Sequence, residues 1–128
     1  MNKKSFQTDK APRAIGPYSQ AIESNGLLFL SGQIAIDPTT NQLIASSSIV
    51  DQTKRVLQNI EALLKAKNIS LSHVVKTTLF LKNMSDFPAV NEIYGTFFKE
   101  TPPARSTVEV SRLPKDVLIE IEAIATLS

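Results

Sequence analysis

Two runs of the chain, residues 104–110 and 117–125, alternate between apolar and polar side chains. A period of two is typical of β-strands, in which successive side chains point to opposite faces. Arg105 lies on the polar face of the first run, and Glu120 and Glu122 share a face of the second. The pattern therefore predicts two strands that each have one apolar face and one face with charge.

The short segment between these runs, residues 111–116, contains a proline and predicts a turn that joins them as an antiparallel pair. In the register that the hydrophobic pattern favours, the polar faces coincide and Arg105 reaches Glu120 on the diagonal, about 7 to 8 Å away between backbones. Two interpretations fit this pair. One is a surface salt bridge of little energetic weight; the other is an arginine that binds a carboxylate beside a glutamate that handles a proton or a water.

An apolar run from Leu27 to Ile36 is interrupted by Ser31 and Gly32. It predicts a buried strand in which the glycine marks either a simple bulge or a close backbone approach that forms a pocket wall. The preceding segment 11–20 carries two prolines and predicts an ordered loop. Tyr18 in this loop is either a packing residue with a wet hydroxyl or a residue that borders a ligand.

Apolar residues recur at helical spacing in two segments. The first predicts an amphipathic helix from Ile49 to about Asn68, and the second predicts a helix capped by Ser85. Asn91 lies at the edge of the buried stripe of the second helix, either as a satisfied core contact or as a side chain that braces a site. Residues 74–82, between the helices, are rich in β-branched side chains and predict a further strand.

This order of elements predicts one α+β domain over residues 1–128, with a single mixed β-sheet and two helices on one of its faces. The opposite face, with Glu120 and Glu122, is then left without a cover. Burial of that face against further copies of the chain predicts a closed homo-oligomer with pockets between subunits.

The charge and the composition argue against several classes of function. The net charge is +2 and the basic residues are scattered among acids, so no stretch could follow a phosphate backbone and nucleic-acid binding is not expected. The chain has no cysteine, which excludes disulfides and thiol catalysis, and the single His73 cannot build a zinc site or a Ser-His-Asp triad. No metal site is expected.

The basic N-terminal residues do not resemble a signal peptide and no run is long enough to cross a membrane, so the expected location is cytoplasmic.

Five segments resemble, in the same order, the signature segments of the RidA/YjgF family of enamine/imine deaminases. They are Gly16-Pro-Tyr-Ser-Gln20, Ser31-Gly-Gln33, Pro103-Ala-Arg-Ser-Thr-Val-Glu-Val110, Arg112-Leu-Pro-Lys-Asp116 and Glu120-Ile-Glu-Ala-Ile124. The resemblance implies a homotrimer of chorismate-mutase-like α+β fold with sites in the clefts between subunits. It also implies hydrolysis of 2-iminobutanoate and 2-iminopropanoate to 2-oxo acids and ammonia, with no cofactor.

Position by position, the resemblance implies that Arg105 binds the substrate carboxylate and that Glu120 positions or activates the water. It implies a cleft lined or braced by Tyr18, Ser31, Gly32 and Asn91. Many members carry cysteine where this chain has Thr107. The resemblance implies a main-chain contact with the substrate at that position, so Thr107 is expected to serve in substrate binding, and a cysteine-dependent role is removed.

Two other functions stay open at this point. The protein could bind 2-oxo or amino acids through Arg105 without turnover and regulate a partner. An activity on RNA, which the resemblance also brings in, is disfavoured by the scattered charge.

Overall fold

The structure is a computed structural model that describes residues 2–128. Within these residues, eight strands and two α-helices follow one another along the chain. The elements are β1 (Lys4–Phe6), β2 (Ala21–Ser24), β3 (Leu27–Gln33), β4 (Ile36–Asp37), β5 (Gln42–Leu43), α1 (Ile49–Ala66), β6 (Val74–Leu81), α2 (Phe87–Phe97), β7 (Ala104–Glu109) and β8 (Ile119–Thr126). Six strands form one sheet in the order β1-β2-β3-β8-β6-β7, while β4 and β5 pair as a separate hairpin.

The large sheet is mixed because β6 and β7 run parallel, whereas its other neighbouring strands are antiparallel. The two strands of the parallel pair are connected through α2, as a parallel pair requires a crossover rather than a hairpin. The predicted α+β architecture of a mixed sheet with two helices is thereby confirmed.

β8 lies near the centre of the sheet and carries much of the core. Its residues Ile119, Ile121, Ala123 and Ala125 are at most 3% exposed and join the buried apolar residues of both helices in one cluster. Burial of each large aliphatic side chain contributes about 1.5 to 3 kcal/mol. This packing fixes which face of β8 is turned towards the helices, and it leaves Glu120 and Glu122 on the other face.

The second face of the sheet carries apolar side chains that the chain itself leaves in solvent. Phe29 of β3 is 41% exposed and Val108 of β7 is 43% exposed, although both are large apolar side chains within strands of the sheet. Phe29 is paired with Ile124, so this apolar surface continues onto β8 beside the glutamates. The prediction of a face without an intrachain cover is confirmed for the side of the sheet that carries Glu120. We call this side the open face.

The predicted antiparallel pair of residues 104–110 and 117–125 is wrong, because β6 lies between the two strands. Arg105 is paired with Thr77 of β6, and Glu120 is paired with Phe80 on the other edge of the same strand. Thr77 is fully buried, and its hydroxyl is bonded to Tyr94 of α2, so it faces the helices. Phe80 lies three residues further along β6 and therefore faces the other way. Since odd and even positions of a strand face opposite ways, Arg105 lies on the helix side and Glu120 on the open face. The predicted diagonal contact between them does not exist within one chain.

The predicted helices are found with small shifts at their ends. α1 begins at Ile49 as predicted, where the Ser48 hydroxyl accepts from two backbone amides, and it ends at Ala66, shortly before Asn68. The predicted cap of the second helix is wrong: Ser85 lies inside a short 3-10 turn, and α2 begins at Phe87. The bulge predicted in the Leu27–Ile36 run is confirmed by a register shift between Leu30 and Gln33.

A buried amide ties the end of this bulged segment to α1. Asn59 is fully buried, and its Nδ2 donates to the carbonyl oxygens of Ile34 at 3.2 Å and of Ile36 at 2.9 Å. Its Oδ1 accepts from Arg55 Nε at 3.1 Å. One side chain therefore donates to two carbonyl oxygens between the end of β3 and the start of β4, of which that of Ile34 also accepts from the Ile36 amide at 2.8 Å.

We expect Asn59→Ala to lower the free energy of unfolding by about 2 to 4 kcal/mol, because it removes one donor from each of the two part-buried carbonyls and opens a small cavity in the core. Urea denaturation measures the change. Gln58→Ala, at the exposed position next to it, is the control and should change stability by less than about 0.5 kcal/mol. Equal effects of the two substitutions would contradict the assigned role of Asn59.

Candidate functional site

A cavity of about 620 Å³ opens on the face of the sheet away from the helices. Four of the predicted site residues line it, namely Tyr18, Ser31, Gly32 and Glu120. They come from the loop before β2, from the bulge of β3 and from β8. We call this space the Glu120 cavity.

The bulge of β3 brings its backbone against the Glu120 side chain. A Cβ atom on Gly32 would lie 2.9 Å from Glu120 Cδ and would overlap one of the carboxylate oxygens. Only glycine leaves room for this approach without a shift of the glutamate. The two interpretations of Gly32 are compatible, because Gly32 lies in a bulge and the backbone of that bulge lines the cavity.

The carboxyl group of Glu120 is half-buried in this wall. Burial raises the pKa of Glu120, and the nearby charge of Glu122 raises it further. A guanidinium beside Glu120 would oppose this shift, but Arg105 of the same chain lies on the other face of the sheet.

A buried glutamine holds the loop that carries Tyr18. Gln20 Nε2 donates to the carbonyl oxygens of Pro12 at 2.7 Å and Thr8 at 3.0 Å, while its Oε1 accepts from the Thr8 amide at 2.7 Å. Tyr18 itself is 53% exposed, so it borders the cavity rather than packing in the core. Ser31 is fixed to the same loop by hydrogen bonds to Ser19 and Gln20.

The other predicted site residues form a separate group on the helix side of the sheet. Arg105 Nη1 donates to Asn91 Oδ1 at 2.9 Å. The guanidinium carbon lies 5.1 Å from the centre of the Phe87 ring and 4.8 Å from that of Tyr94. Both rings belong to α2, so this helix provides an aromatic seat as well as the bracing amide. We call this group the Arg105 cluster.

Tyr94 connects the cluster to the core. Its hydroxyl shares a hydrogen bond of 2.7 Å with Thr77 Oγ1, and burial raises the pKa of Tyr94. The hydrogen bond to Thr77 holds the tyrosine hydroxyl against the sheet, and the guanidinium of Arg105 lies over the ring. The arginine is itself exposed, and its bond to Asn91 leaves further N–H groups able to bind a carboxylate as a planar fork.

Thr107 follows Arg105 on the same face of β7, and its hydroxyl is unusual. Thr107 Oγ1 is buried and has no hydrogen-bond partner among the described residues. A buried hydroxyl without a partner costs about 1 to 3 kcal/mol. This orphan hydroxyl lies beside the arginine, at the position where the family resemblance implies contact with the substrate.

The structure therefore gathers the predicted residues into two groups and separates the groups. Tyr18, Ser31, Gly32 and Glu120 share the cavity, whereas Asn91, Arg105 and Thr107 lie on the opposite side of the sheet. The sequence assigned Phe87 and Tyr94 only to the core stripe of α2 and missed that they also seat Arg105. Sequence reasoning also missed Arg13 and Lys115, which border the cavity. Lys115 lies within one signature segment and Arg13 in the loop before another, and neither position indicated a role.

Two further features of residues 2–128 bear on the chemistry. No group of three or more histidine, cysteine, aspartate or glutamate side chains is placed to hold a metal ion. Among the helices of this part of the chain, none is long and apolar enough to cross a membrane.

The chain is an α+β protein with a six-stranded mixed sheet and two covering helices, and it carries a carboxyl group in an open cavity and an arginine seated on aromatic rings. Solved structures have the same fold. The chain superposes on the YjgF gene product from E. coli with a TM-score of 0.90 at 45% identity, over 96% of this chain and 98% of that one. It superposes on a putative endoribonuclease from Thermotoga maritima with a TM-score of 0.92 at 50% identity, over 96% of each chain.

The sequence comparisons agree. The model of the endoribonuclease L-PSP family matches residues 8–127. The chain is 57% identical to the RutC family protein PH0854 of Pyrococcus horikoshii, over 92% of this chain and 93% of that protein. It is 50% identical to Reactive Intermediate Deaminase A, chloroplastic, of Arabidopsis thaliana, over 99% of this chain and 67% of that protein. The chain belongs to the RidA/YjgF family, as the five signature segments suggested.

We expect Thr107→Val to leave the free energy of unfolding unchanged or to raise it by up to about 1 to 3 kcal/mol, because it removes a buried hydroxyl that lacks a partner and keeps the branched shape. Urea denaturation of the two proteins measures this. As a control, Thr77→Val removes a hydroxyl that is bonded to Tyr94 and should be destabilising. A loss of more than about 1 kcal/mol in Thr107→Val would show that the hydroxyl has a partner in the protein in solution.

Proposed function

We propose that this protein is a hydrolytic deaminase of reactive enamine and imine intermediates, with 2-iminobutanoate and 2-iminopropanoate as substrates and 2-oxo acids and ammonia as products. The observation that carries the proposal is the presence of a seated guanidinium with unused donors and of a half-buried carboxyl group with a raised pKa. The first matches the carboxylate of an α-imino acid, and the second matches a reaction that moves protons near neutral pH. Membership of a family that includes a protein named as a reactive intermediate deaminase supports the same reaction.

In this proposal Arg105 binds the substrate carboxylate. The stacking on Phe87 and Tyr94 and the bond to Asn91 fix the plane of the guanidinium before the substrate arrives. A fixed fork loses little conformational freedom on binding and orients the C=N carbon relative to the rest of the site. Thr107 contributes to the same end of the substrate through its main chain.

Glu120 handles the water and the protons. The substrate enters with its imine nitrogen protonated. As a carboxylate Glu120 takes a proton from a water whose oxygen attacks the C=N carbon, and the electron pair of the C=N π bond moves onto the nitrogen, which gives a neutral carbinolamine. Glu120 returns that proton to the nitrogen and then accepts the hydroxyl proton as the C=O bond forms and the C–N bond breaks, and the departing ammonia takes this proton from Glu120 and leaves as ammonium. Each turnover consumes one water and restores Glu120. Burial raises the pKa of Glu120, which makes its carboxylate a stronger base in the first transfer.

The two groups that this reaction needs lie on opposite faces of one sheet, so we propose that each site is completed by a second copy of the chain. β7 is the edge strand of the sheet, which leaves the Arg105 cluster accessible to a neighbour. The open face with Phe29 and Val108 offers apolar area for such a contact. A closed homotrimer in which the Arg105 cluster of one copy meets the Glu120 cavity of the next accounts for both features.

The activity is tested with 2-iminobutanoate released by a threonine dehydratase, by the rate of 2-oxobutanoate formation with and without this protein. We expect wild type to accelerate the hydrolysis. Arg105→Ala should lower kcat/KM about 100-fold or more, and Glu120→Gln should lower kcat by about 100-fold to 10,000-fold.

The controls are Lys54→Ala and Glu61→Gln, which change charge at exposed positions of α1. Failure of wild type to accelerate the reaction, or full activity in both site variants, would refute the deaminase proposal. Saturable binding of 2-oxobutanoate through Arg105 with no turnover would instead support the non-catalytic regulatory protein.

The shared site predicts complementation between two inactive variants. Equal amounts of Arg105→Ala and Glu120→Gln chains, unfolded and refolded together, form mixed trimers in which one interface of three joins an intact Arg105 to an intact Glu120. Random mixing then restores about a quarter of the wild-type sites. The measurement is the deaminase rate of the mixture relative to each variant refolded alone. Absence of any recovery in trimers shown to be mixed would place both residues of each site on one chain and refute the shared site.

A further inference from the structure

The Glu120 cavity contains a second carboxyl group that the proposed reaction does not use. Glu122 lies two residues after Glu120 on the same face of β8, roughly 7 Å further along by the rise of a strand. Both side chains line the cavity. Glu122 is exposed to solvent, whereas Glu120 is half-buried against the Gly32 backbone.

We propose that Glu122 is a positioning residue for the reaction, whose negative charge, held on the same face of β8 and in the same cavity, makes Glu120 the member of the pair that accepts and returns the proton. The inference rests on the proposed function. It adds a role for a residue that neither touches the reacting atoms nor bonds to the substrate.

The structure restricts how far the carboxyl group of Glu120 can move away from Glu122. The Gly32 backbone closes one side of its carboxyl group so tightly that not even a methyl group fits between them. The alternation of β8 keeps both glutamates on the open face, because the intervening Ile121 is fully buried in the core. The backbone of β8 therefore fixes the distance between the two glutamates, and the Gly32 backbone shields the Glu120 carboxyl group from water on one side.

Other charged groups face the pair and have to be weighed against it. Arg13 from the loop and Lys115 from the turn before β8 border the same cavity. Lys76 of β6 lies outside the cavity lining but on the same face of the sheet, paired with Ile124. The ion pairs found among the described residues are Lys67 with Glu23 and Arg112 with Asp116, so none of these three cations is paired with either glutamate. Lys76 instead donates to Thr78 Oγ1 at 3.3 Å. Among the described residues of one chain, the like charge of Glu122 thus acts on Glu120 without a directly paired cation. In the proposed trimer the Arg105 of the next copy also faces this cavity and favours the ionised form of Glu120, so the charge of Glu122 opposes the effect of that cation.

Two neighbouring carboxyl groups resist ionising together, and the proton is retained by the one that is less well solvated. That group is Glu120, since Glu122 is in contact with water. The direction agrees with the cause assigned to Glu120: burial raises its pKa first, and the charge of Glu122 adds to the effect. A carboxylate of higher pKa is a stronger base towards the attacking water, and its conjugate acid still forms readily enough to protonate the leaving nitrogen.

The test is Glu122→Gln in the full chain, with Glu61→Gln as the control that removes one negative charge on the helix side of the sheet. Glutamine keeps the shape and removes the charge. The titration of Glu120 is followed by ¹³C NMR of the glutamate carboxyl carbons, and its signal is assigned through its loss in Glu120→Gln. We expect the Glu120 midpoint to move to lower pH in Glu122→Gln and to stay in place in Glu61→Gln. An unchanged midpoint, or an equal shift in the control, would overturn the inference.

Kinetics provide a second readout that a merely structural role would not move. In Glu122→Gln the acid limb of the pH–kcat profile should shift to lower pH and the plateau rate should fall, while KM for 2-iminobutanoate stays the same. Glu122→Asp keeps the charge and should hold the limb near its wild-type position. A limb that does not move in Glu122→Gln refutes the role in catalysis.

The NMR titration needs no substrate, so the two proposals can fail separately. A shifted midpoint in a protein without deaminase activity would leave the charge coupling standing and refute the proposed function. Activity with an unshifted midpoint would refute the role of Glu122 and leave the proposed function standing.

Discussion

The burial of one face of β8 beneath the helices is the constraint on which the rest of the site depends. Ile119, Ile121 and Ala123 have almost no contact with solvent. A register slip of one residue would turn Glu120 and Glu122 into this core, where unpaired charges are strongly unfavourable. Core packing, rather than any interaction of the glutamates themselves, thus places two carboxyl groups on the open face. The bulge of β3 then brings Gly32 against one of them, which distinguishes Glu120 from its neighbour.

A second constraint comes from the connection between β6 and β7. Because α2 joins them, β7 returns parallel to β6 and takes the edge of the sheet, so β6 separates it from β8. Arg105 then lies beneath the helix that provides its seat and not beside Glu120. The helix that connects the strands also supplies Asn91, which is why the arginine is held within its own chain. A reaction that uses Arg105 and Glu120 together therefore has to join two chains, which makes assembly part of the proposed chemistry.

The sequence predicted the elements, the faces of individual strands and the class of fold, but not which strands are neighbours. Alternation determines which side chains of one strand share a face, and it contains no information about the partner strand. The short segment 111–116 favoured a hairpin, although the helix between β6 and β7 already favoured a parallel pair. Asn91 was identified by its place at the edge of a helical stripe, while the seat formed by Phe87 and Tyr94 was hidden, because aromatic residues on such a stripe are expected in the core in any case.

The unfavourable features of the isolated chain occur where the proposed assembly and its substrate would meet it. Among the described residues, Thr107 Oγ1 is buried without a hydrogen-bond partner and Glu120 is half-buried without a paired cation. The apolar side chain of Val108 on the open face is exposed to water. Each feature costs free energy in a single chain, by desolvation or by exposed apolar area. Elsewhere the described residues satisfy comparable groups, as the buried amides of Asn59 and Gln20 demonstrate. Because comparable buried groups are paired elsewhere in the described chain, Thr107, Glu120 and Val108 are the positions at which the proposed assembly and its substrate would remove an unfavourable contribution to the free energy.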